Sequence, residues 1–194
     1  MPTGEECMPI KPKIVVFAGP NGSGKSTITD NCNISGKYIN ADIIQQQNNY
    51  TTYDAAVYAE SLREACLSGG EDFTFETVLS TTRNLELLKR AKDQGYFIRG
   101  FYVLTCSVEI NVLRVHSRVK NGGHDVPEDK IRKRYTKALQ LLPQFIDVCD
   151  ICSVYDNSLD IPCRIYKKYH GDIYQANEVW TEQSIKKLVN GTYI

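Results

Sequence analysis

The 194 residues are 42% hydrophobic and 24% charged, a composition typical of one folded domain with its own core. The 23 basic and 23 acidic residues cancel, which disfavours nonspecific nucleic-acid binding because that binding needs a net basic surface. No stretch approaches the roughly 20 apolar residues of a membrane span, and residues 1–13 lack the apolar core of a signal peptide. We therefore expect a single cytoplasmic domain over residues 1–194 that contacts no membrane.

The first predicted strand, residues 13–18, leads directly into a glycine-rich loop. Residues 19–26 match the pattern G-x-x-x-x-G-K-[ST] in full, and a predicted helix begins at Lys25 and runs toward Cys32. Strand, loop and helix in this order form a phosphate-binding loop, whose backbone N–H groups surround an anion. The sequence therefore predicts binding of ATP or GTP with Mg²⁺. The predicted contacts are Gly19, Asn21, Gly22, Ser23, Gly24, Lys25 at the outer phosphates, Ser26 at the metal, and Thr27.

Two carboxylates follow the next two predicted strands. Asp42 comes just after strand 37–40, and Glu76 ends strand 72–76, with a predicted helix over 54–67 between them. Parallel sheets bind ligands at the carboxyl ends of their strands, so Asp42 is a candidate base for an attacking hydroxyl. Asp is also a preferred helix cap, and Asp42 is equally suited to cap a helix over 43–46. Glu76 is a candidate for holding magnesium or binding an acceptor hydroxyl; the alternative is an exposed glutamate at a strand end.

The remaining elements continue an alternation that predicts a parallel sheet covered by helices. Pro143 should end or kink the helix that begins at residue 128. The seven cysteines are odd in number and scattered, so we expect reduced thiols that fill the core. The C-x-x-C formed by Cys149 and Cys152 lacks the second pair that a zinc site needs. The predicted elements are helix 84–94, strand 97–105, helix 108–120, the helix from 128, strand 151–155, a hairpin within 161–174 and helix 182–189.

Residues 114–137 form a basic segment, with eight basic and three acidic side chains in an otherwise neutral chain. The glycine-containing loop 121–127 divides it, and Arg114 and Arg118 share a helical face because they are spaced i, i+4. Guanidinium groups beside a glycine hinge favour a helical lid that closes over a triphosphate. A solvated basic helix face is the alternative. His124, in the same loop, is a candidate substrate contact.

Several motifs occur together in an order typical of one family. They are the loop 19–26, Asn40-Ala-Asp42, Glu76-Thr-Val-Leu-Ser80, Arg114-Val-x-x-Arg-Val-x-x-Gly-Gly-His-Asp-Val-Pro127 and Ile131-Arg-Lys-Arg-Tyr135. Over roughly residues 13–158 the sequence resembles the zeta-toxin family of P-loop kinases, particularly its compact members. The resemblance implies an α/β three-layer P-loop NTPase fold with a five-stranded parallel sheet. It also implies transfer of the γ-phosphoryl group of ATP or GTP to a hydroxyl of a small molecule.

The resemblance further implies an acceptor, a partner and residue roles. Well-studied family members phosphorylate UDP-N-acetylglucosamine and are restrained by a small helical antitoxin, which makes nucleotide-sugars and such an antitoxin the expected substrate and partner. By motif position, Asp42 would activate the acceptor hydroxyl, and Glu76 and Thr77 would line the acceptor or magnesium site. The residues implied at the transferring phosphoryl group are Arg118 with Arg114 or Arg134, and Asn157 is implied near the adenine.

Two other functions account for parts of the sequence. A nucleotide-binding regulatory ATPase would share the phosphate-binding loop, although the guanine motif Asn-Lys-x-Asp is absent from the sequence. A nucleic-acid-end kinase would use the basic segment as a groove for a strand. Salt-sensitive binding of oligonucleotides would distinguish that enzyme from a small-molecule kinase.

Overall fold

The computed structural model describes residues 11–123 and 125–193, and the predicted substrate contact His124 lies outside the described residues. Within those residues the strands are β1 Lys13–Ala18, β2 Lys37–Ile39, β3 Phe73–Thr77, β4 Phe97–Leu104, β5 Ile151–Asp156, β6 Cys163–Lys168 and β7 Asp172–Tyr174. The helices are α1 Lys25–Thr29, α2 Ala41–Asn48, α3 Thr52–Gly69, α4 Arg83–Asp93, α5 Val108–Lys120, α6 Glu128–Val148 and α7 Glu182–Val189.

All of the strands join one sheet in the order β2-β3-β1-β4-β5-β6-β7. The first five pair in parallel, so the predicted α/β fold with five parallel strands is confirmed. The predicted hairpin within 161–174 is β6 and β7, and it extends the sheet by antiparallel pairing next to β5. The sheet is therefore mixed at one edge, which the predicted parallel core did not include.

The central strand β1 is buried on both faces, as a parallel strand with helices on either side should be. Its residues alternate between two hydrophobic clusters because successive side chains of a strand point to opposite faces. Ile14 and Val16 pack in the larger cluster with α3, α4, α6 and α7. Val15 and Phe17 pack in the smaller one with Ile28 of α1. These two clusters place helices on both faces of the sheet, which gives the three predicted layers.

The helices α2, α3 and α4 lie within two residues of their predicted bounds, whereas α1 and α6 end elsewhere than predicted. The helix α1 ends at Thr29, three residues before Cys32, with Asp30 as its C-cap. The helix α6 passes through Pro143 and continues to Val148, although proline removes one backbone donor. The residues on either side explain this result, because Leu142 and Phe145 are completely buried in the large cluster. Burial of such side chains stabilises the helix against the lost hydrogen bond.

The antiparallel edge also fixes the end of α6. Lys168, the last residue of β6, donates to the carbonyl oxygens of Ile146 at 3.0 Å, Asp147 at 3.1 Å and Cys149 at 2.9 Å. Helix C-termini leave carbonyls without partners inside the helix, and a cation there also interacts favourably with the helix dipole. Lys168 therefore connects the C-terminal end of α6 to the sheet.

Candidate phosphate-binding site

The loop of residues 19–24 joins β1 to α1 at the carboxyl end of the parallel sheet. Its first residue is fixed to the neighbouring strand, since the Gly19 N–H donates to the Thr77 carbonyl at 3.1 Å. Ser23 is fully buried, and its N–H donates to the Pro20 carbonyl at 3.2 Å. Ser26 and Thr27 are exposed in the first turn of α1. The predicted loop residues therefore lie where parallel sheets bind ligands.

Two glycines of the loop are required by close contacts behind it. A Cβ on Gly22 would lie 2.4 Å from the backbone oxygen of Asn111, and a Cβ on Gly24 would lie 2.1 Å from Nδ2 of Asn157. Both glycines also have positive φ, at 76° and 84°, which side chains disfavour. Gly24, a glycine of the G-x-x-x-x-G-K-[ST] pattern, and Gly22, at one of its variable positions, therefore let this loop pack against the end of β5 and against α5.

Two buried asparagines hold the loop from behind through its carbonyl groups. Asn111 is 0% exposed, and its Nδ2 donates to the carbonyl of Asn21 at 2.6 Å. Asn157 donates from Nδ2 to the carbonyl of Ser23 at 2.8 Å. We refer to Asn111 and Asn157 as the asparagine clamp. With two of its carbonyls bonded to the clamp, the loop is held in one backbone conformation.

The clamp adds one contact to a predicted residue and one residue that sequence reasoning missed. Asn157, predicted near the adenine, uses its side chain to support the backbone of the loop. The sequence alone predicted no role for Asn111. Its polar side chain among the apolar residues of α5 could have indicated that it bonds to another buried polar group. It is oriented by Thr105, whose hydroxyl donates to Asn111 Oδ1. Tyr135 of α6 in turn donates to the Thr105 carbonyl at 2.7 Å, so a chain of hydrogen bonds links α6 to the loop.

Lys25 lies beneath the loop with its ammonium group turned toward loop carbonyls. Nζ donates to Gly19 O at 2.9 Å and to Pro20 O at 3.2 Å. Burial lowers the pKa of Lys25, the charges of Glu76 and Asp42 oppose that shift, and the charge of Arg118 adds to it. The fold therefore brings three predicted site residues, from three other segments, within electrostatic range of Lys25.

Glu76 is half-buried and hydrogen-bonded, which excludes the alternative of an exposed glutamate at a strand end. Its Oε1 accepts from the Tyr38 hydroxyl at 2.6 Å and from the Thr29 hydroxyl at 3.1 Å. Burial raises the pKa of Tyr38, and Glu76 raises it further, so Tyr38 remains a protonated donor. A carboxylate held in this way from β2 and α1 has a fixed position beside the loop.

Asp42 is exposed in the first turn of α2, and it is not the cap of that helix. The N-cap is Asn40, whose Oδ1 accepts from the N–H of Asp42 at 2.9 Å and of Ile43 at 3.4 Å. The predicted cap was wrong because Asn caps as well as Asp does and stands two residues earlier. Since Asn40 caps the helix, the carboxylate of Asp42 is not needed for that role.

The arginines of the basic segment occupy different positions. Arg114 of α5 donates to the Asn157 carbonyl at 2.7 Å, and Arg134 of α6 donates to Asn21 Oδ1 at 3.3 Å. Arg118 is exposed on α5, one turn beyond Arg114. Arg132 forms ion pairs with Glu109 at 2.9 Å and Glu128 at 2.8 Å, which join α5 to the start of α6. Arg134 thus contacts the loop and Arg114 contacts Asn157 of the clamp. The ion pairs of Arg132 instead connect α5 with α6.

Thr77 has a local role in the turn after β3. Its hydroxyl oxygen accepts from Asn84 Nδ2 at 2.8 Å and from the Leu79 N–H at 3.0 Å. Leu79 is buried with a φ of 55°, an uncommon conformation for a residue with a side chain. Thr77 therefore stabilises a strained turn directly beside Gly19.

Two further observations concern cofactor and membrane sites. Across residues 11–123 and 125–193, no group of three or more His, Cys, Asp or Glu side chains is arranged to hold a metal ion. The same residues contain no helix that combines the length and apolar character needed to cross a membrane.

Comparison with known families and proteins supports the sequence motifs. A family model described as zeta toxin matches residues 38–175. An uncharacterized protein of Haemophilus influenzae is 32% identical over 129 residues, which cover 63% of this chain and 92% of that protein. The matched residues begin within β2 and end after β7, so they carry Asp42, Glu76 and the basic helices, while the phosphate-binding loop precedes them.

Solved structures share the fold at low sequence identity. Two crystal structures of AvrRxo1-ORF1:AvrRxo1-ORF2, one with sulphate ions and one with ATP, match with TM-scores of 0.69 and 0.70 and identities of 11% and 13%. Each match covers 93% of this chain, which spans 64% of the AvrRxo1 chain. A structure from the PezAT toxin-antitoxin system of Streptococcus pneumoniae matches with a TM-score of 0.56 and 17% identity, covering 93% of this chain and 78% of that one. These similarities show that the chain shares the α/β fold of these proteins.

Proposed function

The chain belongs to the zeta toxin family, and on that premise we propose that it is a kinase that phosphorylates a hydroxyl group of a small molecule. One observation carries the proposal. Lys25 Nζ donates to the carbonyls of Gly19 and Pro20 in the loop. Glu76 accepts from Thr29 one turn further along α1. Arg134 contacts Asn21 of the loop, so a cationic phosphate contact, a carboxylate and an arginine share one site. Phosphoryl transfer needs this combination, because catalysis rests on positioning and on compensating charge.

The loop fits a nucleoside triphosphate, ATP or GTP, by its own geometry. The N–H groups of Gly19 and Ser23 donate to protein carbonyls, and we propose that those of Gly22, Gly24 and Lys25 surround the phosphate oxygens. When bound, the triphosphate supplies the phosphoryl group. We propose that Lys25 exchanges its bonds to the carbonyls of Gly19 and Pro20 for the outer phosphates. A phosphate anion would favour the charged ammonium and reverse the effect of burial on the pKa of Lys25.

The carboxylates of Asp42 and Glu76 have different proposed roles. We assign Asp42 as the base that accepts the proton of the acceptor hydroxyl, whose oxygen then forms a bond to the γ-phosphorus as the bond to the leaving diphosphate breaks. Glu76 has Oε1 engaged by Tyr38 and Thr29. Its Oε2 and the exposed hydroxyl of Ser26 are oxygen ligands of the kind magnesium prefers. We propose that Glu76 and Ser26 would hold the Mg²⁺ of the nucleotide, which would offset the charge of the phosphates.

The arginines would stabilise the charge on the phosphoryl group during transfer. Arg118 already acts on Lys25 electrostatically, and Arg134 touches Asn21 of the loop. We assign Arg118 and Arg134 to the phosphoryl group. Arg114 has its guanidinium bonded to the Asn157 carbonyl and would support the loop beside them. Arginine suits this role because its planar, permanently charged group donates several hydrogen bonds to phosphate oxygens.

A screen for phosphorylated products tests the proposed activity. Purified protein with ATP and Mg²⁺ should add one phosphate to at least one class of hydroxyl compound in a metabolite extract, as detected by mass spectrometry. UDP-N-acetylglucosamine and other nucleotide-sugars, simple sugars and amino alcohols form the defined panel, and a 5′-hydroxyl oligonucleotide tests the nucleic-acid-end alternative. Slow ATP hydrolysis without any acceptor-dependent release of ADP would contradict the kinase and favour a regulatory ATPase.

We also propose a protein partner. The structural relatives include AvrRxo1-ORF1:AvrRxo1-ORF2 and the PezAT toxin-antitoxin system, and the family as a whole is named for a toxin. Membership of this family supports a small helical antitoxin that blocks the nucleotide site as the partner. Expression of the chain in bacteria should arrest growth, and co-expression of the protein encoded by the neighbouring gene should relieve the arrest. Normal growth on expression of the chain alone would contradict the proposal.

The asparagine clamp predicts an effect on nucleotide binding. Replacing Asn111 with alanine should weaken ATP binding by roughly 5- to 100-fold, since a buried hydrogen bond lost to a carbonyl costs about 1–3 kcal/mol. Asn111→Asp keeps the size of the side chain but removes the donor to Asn21, and it should behave similarly. Titration calorimetry with ATP measures the loss, and Asn190→Ala, an exposed asparagine at the end of α7, is the matched control. Wild-type ATP affinity in a folded Asn111→Asp variant would contradict a positioning role.

A further inference from the structure

A second pocket lies outside the proposed kinase site, where α2 turns into α3. Its cavity has a volume of about 330 Å³, and none of the residues assigned to nucleotide, metal or acceptor lines it. Three of its six lining residues are tyrosines. The lining consists of Tyr50, Tyr53, Asp54, Val57, Tyr58 and Ser61, which we call the tyrosine pocket.

The turn between α2 and α3 positions the tyrosines that line this pocket. Asn49 ends α2 in a left-handed conformation with a φ of 53°, and Thr51 caps α3 by accepting from the Asp54 N–H at 3.1 Å. This tight turn brings Tyr50 back against Tyr58, with ring centroids 5.9 Å apart and planes at 81° to each other. These two rings, at nearly a right angle, form two sides of the pocket.

The third wall comes from the outer face of α3. Four pocket residues, from Asp54 to Ser61, recur at the i, i+3, i+4, i+7 spacing that places side chains on one side of a helix. The opposite side carries Ala55 and Ala59, which are buried against the core. The tyrosines are therefore not part of the core packing, and Tyr53 is 76% exposed. Large aromatic side chains clustered on an outer helix face mark a binding surface.

The charged side chains near the tyrosine pocket indicate which class of ligand it binds. The sequence has no lysine or arginine between Lys37 and Arg63, a stretch that carries three acidic residues. Of these, Glu60 is paired with Arg83 at 2.9 Å, whereas the Asp54 carboxylate lines the pocket and accepts from the Thr51 hydroxyl at 2.6 Å. Asp54 also offsets the positive end of the α3 dipole. None of the six lining residues is a lysine or arginine, so an anion would meet this carboxylate without a compensating cation in the lining.

We propose that the tyrosine pocket binds the ammonium group of a small organic cation. The faces of aromatic rings carry partial negative charge and attract cations within about 6 Å of the ring centroid. Rings that surround such a group, with a carboxylate as counter-ion, are the usual recognition site for alkylated ammonium ions. The cavity volume is near the lower limit for small-molecule pockets, which suits a compact ammonium compound. This inference does not depend on the proposed kinase activity.

Titration with a simple cation tests the proposal. Tetramethylammonium chloride is the probe, and tert-butanol is a neutral compound of similar size and shape, with sodium chloride matching the ionic strength. In NMR spectra of protein labelled at the tyrosine rings, tetramethylammonium should shift the signals of Tyr50, Tyr53 and Tyr58 with saturation, and tert-butanol should not. Tyr53→Leu and Asp54→Asn should each lower the affinity for tetramethylammonium by about two- to fivefold, which is the scale of one exposed cation–π contact.

Tyr169 provides the matched control. It is an exposed tyrosine on the distant β6–β7 edge that contacts His170 and Lys167, and Tyr169→Leu should leave the affinity for the cation unchanged. Equal shifts with tert-butanol would overturn the proposal in favour of a general apolar surface. Shifts that do not saturate, or an affinity for tetramethylammonium that is unchanged in both pocket variants, would also overturn it. Because Tyr53 and Asp54 are exposed, both variants should remain folded.

Discussion

Replacing Lys25 with alanine is expected to reduce phosphoryl transfer by at least about a hundredfold and to weaken ATP binding strongly. The ammonium group of Lys25 is the cation beneath the loop, and losing one preorganised charge contact to a transferring group typically costs two to three orders of magnitude in rate. The loop itself should keep its shape, because the asparagine clamp holds the Asn21 and Ser23 carbonyls independently of Lys25. Steady-state kinetics with any acceptor from the product screen, together with ATP calorimetry, measures both effects.

A variant elsewhere on the surface separates this effect from a general loss of charge. Lys89→Ala removes an exposed lysine from α4, on a helix that carries none of the assigned site residues, and it should keep wild-type activity. Thermal unfolding of Lys25→Ala should remain cooperative. A folded Lys25→Ala protein that binds ATP normally would contradict the assignment of Lys25 to the outer phosphates.

Replacing Asp42 with asparagine is expected to lower kcat by about 10²- to 10⁴-fold while leaving ATP affinity nearly unchanged. Asparagine has the same shape as aspartate but cannot accept the hydroxyl proton, and general-base catalysis typically contributes a factor of this size. The substitution should not disturb α2, because its cap is the side chain of Asn40. Kinetics in which the nucleotide and the acceptor are varied separately will distinguish loss of catalysis from loss of binding.

The controls for Asp42 test the position of the carboxylate as well as its charge. Asp93→Asn alters an exposed aspartate at the end of α4 and should have no effect. Asp42→Glu retains a base on a longer side chain and should recover part of the lost rate. Near-normal turnover by Asp42→Asn would show that another group accepts the proton, and Glu76 would then be the next residue to test.

Features that depend on residues close together in the chain were predicted well. The phosphate-binding loop, the candidate carboxylates and the basic segment are each set by short spacings, and the family motifs occur in a fixed order along the chain. Strand β1 and helices α5 and α7 have the bounds that their apolar patterns predicted, because those patterns report directly which side of an element is buried. The family followed from the same short motifs.

Features that depend on contacts between distant segments were not predicted. Asn111 and Asn157 lie 90 and 134 residues from the loop carbonyls they bind, and nothing local in the sequence pairs them. The sequence predicted that Pro143 ends or kinks its helix, and α6 continues past Pro143 where Leu142 and Phe145 are buried in the core.

The sequence by itself determined the loop, its lysine and the family, because glycine spacing and motif order are properties of the chain. Only the tertiary structure decided what fixes that loop and which charges act on Lys25. Hydrogen bonds and electrostatic interactions depend on distances in space, and folding brings α2, β3 and α5 to the same end of the sheet. The tyrosine pocket has the same origin, since its walls meet only after α3 turns back against the end of α2.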